Sequence, residues 1–93
     1  MLGLIACAAP AWCQCFLTGE EQYELVTERC KNLTQRDKDI SAAMWAKIPY
    51  NKDEPWAAYQ ARMCAVIRDT AHRYRISLKE AEVILWTGDI CPP

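Results

Sequence analysis

The chain has a single histidine, His72, which follows Asp69 by three residues. On a helix, side chains three apart share a face, so the carboxylate could orient the imidazole as a general base. A base needs a nucleophile or a substrate proton to act on, and no serine or thiolate completes the set. His72 also falls on the polar side, beside Arg68 and Arg75. A solvated histidine accounts for it, so no catalytic residue and no enzymatic activity are expected.

Six cysteines are the other reactive groups: Cys7, Cys13, Cys15, Cys30, Cys64 and Cys91. The Cys13-Gln14-Cys15 spacing is too tight for a zinc finger, and no CxxC pair accompanies it. No metal and no cofactor are expected. Disulfides are the better use of these thiols, above all in a chain this short.

At 93 residues the chain is one domain, with 11 basic and 12 acidic side chains and a formal net charge of −1. That balance offers no electrostatic footprint for nucleic acid, so a helix-turn-helix DNA reader is disfavoured. No charged side chain precedes Glu20. The apolar run before it is short for a membrane span and is interrupted by Pro10 and Gln14. Residues 1–13 therefore read as a secretory leader, with an upstream start supplying the basic residues it lacks. Residues 14–93 read as the helical domain. A cut after Cys13 leaves Cys15, Cys30, Cys64 and Cys91, an even set, whereas a cut after Ala11 strands one thiol. The alternative is a lipobox, Leu4-Ile5-Ala6-Cys7, with acylation at Cys7. Contact with a membrane is expected only through the leader or such a lipid. The bland reading is a cytosolic protein with a buried apolar first helix.

Three helix starts share one pattern: Thr18 before Glu21, Thr34 before Asp37, and Ser77 before Glu80. In each, a hydroxyl caps a free N–H and the acid three residues on reaches back. Pro55 supplies a fourth start, at the first helical position. The predicted helices cover 19–32, 35–48, 55–75 and 78–87, the last closed by Gly88. Their apolar stripes are Tyr23/Val26/Cys30/Leu33, Ile40/Met44/Ile48, and Trp56/Tyr59/Met63/Ile67/Tyr74. No alternating strand pattern competes. The fold class is all-α, a small antiparallel four-helix bundle stapled by two disulfides.

In a regular up-down-up-down arrangement, Cys30 and Cys64 reach the same level, and the tail after the last helix climbs toward Cys15. The expected bridges are 30–64 and 15–91. Each would stabilise by ~3–4.5 kcal/mol, comparable to the whole net stability of so small a domain.

Val83-Ile84-Leu85-Trp86 is apolar around the full helix circumference, and Trp45 is offset from its stripe. Burial is the simpler reading, since small bundles need every large side chain. Exposed aromatics mark contact sites, so Trp45, Val83 and Trp86 are the partner-binding candidates. Arg62, Arg68, Arg73 and Arg75 on helix three complement its negative end; read functionally, Arg68 and Arg75 join that list. Asn32-Leu33-Thr34 is a glycosylation sequon, but Thr34 already has a capping role. The leading expectation is a secreted or periplasmic binding or inhibitory protein acting on a protein partner through an apolar helix face. The alternatives are a chaperone-like or structural protein that exposes apolar surface on acidification or reduction, and a lipoprotein anchored through Cys7.

Overall fold

A computed structural model describes residues 16–92. The expected secretory leader, residues 1–13, and the placement of Cys7, Cys13 and Cys15 lie outside the described residues. All three hydroxyl caps form. Thr18 accepts from the Glu21 N–H at 3.2 Å and opens α1, Gly19–Cys30. Thr34 accepts from the Asp37 N–H at 3.1 Å and Asp37 returns the bond to the Thr34 N–H, opening α2, Gln35–Ala46. Ser77 accepts from the Glu80 N–H at 3.0 Å and opens α4, Leu78–Ile90. Between them α3, Trp56–Tyr74, begins just after Pro55. Each cap satisfies an N–H that has no partner within its own helix.

The chain is all-α among the described residues, with four helices. α4 lies at the centre: α1, α2 and α3 all pack on it, while α2 and α3 meet each other only marginally. Sequence patterning carries this directly. Ala81, Glu82, Val83, Ile84 and Leu85 are consecutive and all buried, the mark of a helix enclosed on every side. The core joins Ile40, Met44 and Ile48 to Tyr59, Met63, Ile67 and Ala71 around Ala81, Ile84 and Leu85. α1 adds Val26, which is fully buried. Tyr23, expected on the same stripe, is instead 68% exposed.

Gly88 does not close α4. The helix runs on to Ile90, and Gly88 serves as a point of close approach. A Cβ there would overlap the Ser41 hydroxyl and lie 3.2 Å from the Trp45 ring. Ser41 and the Trp45 indole N–H both donate to the Leu85 carbonyl, at 3.2 and 2.9 Å. Glycine is thus needed because α2 packs directly on the backbone of α4.

The expected cysteine pairing is corrected. Cys30 bonds to Cys91, with Cα atoms 5.5 Å apart, so neither 30–64 nor 15–91 forms. Regular alternation would put the end of α4 far from the end of α1. With α4 central and α1 lying on it, those two ends meet. Cys64 is buried and also disulfide-bonded.

Arg29 ties three helices together. Its guanidinium donates to both oxygens of Asp37 (2.8 and 3.0 Å) and to Glu80 at 3.3 Å. Asp37 is buried, and the hydrogen bonds from Arg29 hold its carboxyl below the usual range. The fork geometry of arginine suits such bidentate pairing.

Candidate functional site

The apolar residues singled out by sequence sit within the helix packing. Val83 is buried, while Trp45 and Trp86 are half-buried. The two indoles meet edge to face at 5.7 Å. Both ring nitrogens are satisfied, Trp45 by Leu85 and Trp86 by the Glu82 carboxylate at 2.9 Å. These residues fasten α2 and α4, and only the outer edges of the indoles reach solvent.

Tyr23 on α1 and Tyr74 at the end of α3 are exposed singly, whereas two exposed aromatics stand together at the junction of α2 and α3. Tyr50 is 73% exposed and Trp56 is 64% exposed. They flank the buried Tyr59. Trp56 stacks on that ring at 5.6 Å, Tyr50 meets it edge-on at 5.9 Å, and the Tyr59 hydroxyl donates to the Ile48 carbonyl. Arg62 stands over the Tyr59 ring at 5.3 Å and also pins the connecting segment. It donates to the Pro49 carbonyl at 3.0 Å and to Glu54 at 2.6 Å. The result is an aromatic platform whose backing is fixed, although its outer surface is open. Sequence reasoning placed Trp56 on the buried stripe of helix three. It occupies the first turn of α3, beyond the reach of the neighbouring helices. The available signal was Tyr50, an aromatic between Pro49 and the polar run Asn51-Lys52-Asp53-Glu54.

No protein-family model, curated protein or solved structure matches this chain.

Asp69 and His72 do not form a base pair of the kind the spacing allowed. Both are exposed, and the Asp69 carboxylate faces Arg73 at 3.6 Å and Lys47 at 3.8 Å. Arg68 and Arg75 are exposed. Arg75 follows α3 with φ 56° and is the one non-glycine residue of positive φ among the described residues. Such a backbone costs an L-residue about 1–2 kcal/mol. Asn32 and Thr34 of the sequon are exposed in the α1–α2 turn. Among the described residues no group of acidic, cysteine or histidine side chains is arranged to hold a metal ion. None of their helices is long and apolar enough to cross a membrane.

Glu82 is the one carboxylate buried without a cation among the described residues. It is 2% exposed and accepts from the Leu17 N–H (2.9 and 3.1 Å) and from Trp86. Burial pushes its carboxyl above the usual range; the Trp86 and Leu17 hydrogen bonds act in the opposite direction. It anchors the segment entering α1 onto the central helix.

Proposed function

We propose that this is an exported, disulfide-stabilised binding or inhibitory protein, and that its contact with a protein partner is made by the Tyr50–Trp56 platform. The observation carrying this reading is the exposure of two large aromatics on either side of one buried ring, in a domain that buries or half-buries most of its large apolar side chains. Tyr and Trp are enriched where interfaces gain most of their affinity, because each offers much contact area with few torsions to freeze. The platform is also pre-ordered by Tyr59, Arg62 and Glu54, which lowers the entropic cost of docking. An apolar face on α4, the alternative location, is already committed to intramolecular packing. The disulfide suits an oxidising compartment, secreted or periplasmic.

A photo-crosslinking residue at position 56, in the protein produced in its native host, tests this directly. One discrete adduct is expected from position 56 and none from position 23, an equally exposed but isolated aromatic. Trp56→Ser should melt like the parent. Equal adducts from both positions, or none from position 56, would overturn the reading.

A further inference from the structure

α3 ends on a left-handed residue that is not glycine. Arg75 has φ 56° and ψ 46°. Its N–H bonds back to the His72 carbonyl at 3.3 Å, and the N–H of Ile76 bonds to Ala71 at 3.0 Å. Glycine usually closes a helix in this way, because a Cβ at that position crowds the following carbonyl. Complementing the helix dipole does not require arginine here, since Arg73 already places a cation in the last turn. The strained position therefore holds a side chain for some other use.

Arg75 lies on the rim of a cleft of about 720 Å³ between the end of α3 and the start of α4. Ala71, Ile76 and Leu78 give it an apolar lining; exposed Arg73 and Arg75, beside His72, give it a cationic edge. Arg73 shares Asp69 with Lys47 at long range, and no carboxylate pairs with Arg75 among the described residues. A ligand complementary to this cleft combines carboxylates with an apolar side chain.

We infer that the cleft receives an acidic peptide segment of a partner, with carboxylates on Arg73 and Arg75 and an apolar residue against Ala71, Ile76 and Leu78. The site is separate from the Trp56 platform, roughly 28 Å away along α3. Either can fail without the other.

The probe is a fluorescein-labelled peptide, Glu-Glu-Leu-Glu-Glu-Leu-Glu-Glu, titrated into the full oxidised chain and followed by anisotropy. Arg75→Gly should raise the melting midpoint by about 4 °C through relief of strain, yet weaken the peptide about tenfold. Arg75→Lys should keep most of the binding, and Trp56→Ser should keep all of it. Failure of the parent to bind, equal binding of the all-Gln peptide, or unchanged binding by Arg75→Gly would overturn the inference. So would an unraised midpoint in Arg75→Gly, which removes the strain argument. Binding to phosphatidylglycerol vesicles but not to the peptide would assign the cleft to a lipid surface and overturn the peptide assignment.

Discussion

The indole of Trp45 and the carbonyl of Leu85 are joined by a 2.9 Å hydrogen bond that draws α2 onto the backbone of α4. Ser41 donates to the same carbonyl, and the space between the two side chains is filled by the Cα of Gly88. Alanine in a helix interior ordinarily gains about 1 kcal/mol over glycine. Here the added methyl collides with Ser41 and crowds Trp45, and overpacking of this kind costs about 1–3 kcal/mol. Gly88→Ala should therefore destabilise by about 1–2 kcal/mol in denaturant unfolding. A stabilised variant would mean that α2 and α4 are farther apart than described.

Asp37 performs two tasks with one carboxylate: it closes the Thr34 capping box and accepts both nitrogens of Arg29. Asp37→Asn keeps the size and loses the charge-assisted bonds, with an expected loss of about 2–3 kcal/mol. Thr34→Ala, which removes only the cap, should cost about 1 kcal/mol. Equal losses from the two variants would show that the Arg29 contact contributes nothing.

The two buried carboxylates respond to acid in opposite senses. Glu82 has a raised folded value, so the folded state takes up its proton first. Its contribution to stability grows as pH falls through that raised value and is complete below the unfolded value, about 4.5. Asp37 has a lowered folded value, so its contribution is present above about 3.8 and is lost as pH falls further through the folded value. Denaturant midpoints should rise from neutral pH toward about pH 4.5 and then fall, and Glu82→Gln should flatten the first limb only. A midpoint that declines from pH 7 downward would contradict this, and would favour a protein that opens on mild acidification.

Much of the fold was legible because it rests on local chemistry. Thr18, Thr34 and Ser77 announce their helices in four residues each, and the all-round apolar run from Val83 to Trp86 announces a helix buried by its neighbours. What local chemistry cannot give is the order in which helices pack. The choice between Cys64 and Cys91 as partner of Cys30 depends on α4 being central, a non-local fact. The same limit hid the platform. Trp56 has the spacing of a buried residue, and only the absence of a neighbour over the first turn of α3 leaves it exposed. At Gly88 the residue type suggested a helix end, whereas the cause was a close approach from α2.

Cys64 carries a separate expectation. With Cys30 and Cys91 joined, a leader cut after Cys13 leaves Cys15 as its available partner. Non-reducing peptide mapping of the protein purified from its native host should then show Cys15 linked to Cys64. Recovery of Cys64 linked to Cys7 or Cys13 would mean that the apolar N-terminal segment is retained.

Closing the ends of α1 and α4 through Cys30 and Cys91 holds together a domain too small to rely on burial. The bridge spans 61 residues of sequence, and a loop of that length is worth about 4 kcal/mol in the chain-entropy model. The most direct measurement is the thermal melt of the oxidised protein beside Cys30→Ser/Cys91→Ser, followed by helical circular dichroism. The expected result is a cooperative transition in the parent and a loss of about 4 kcal/mol in the variant, leaving it largely unfolded at 37 °C. Matching midpoints in the two proteins would contradict it.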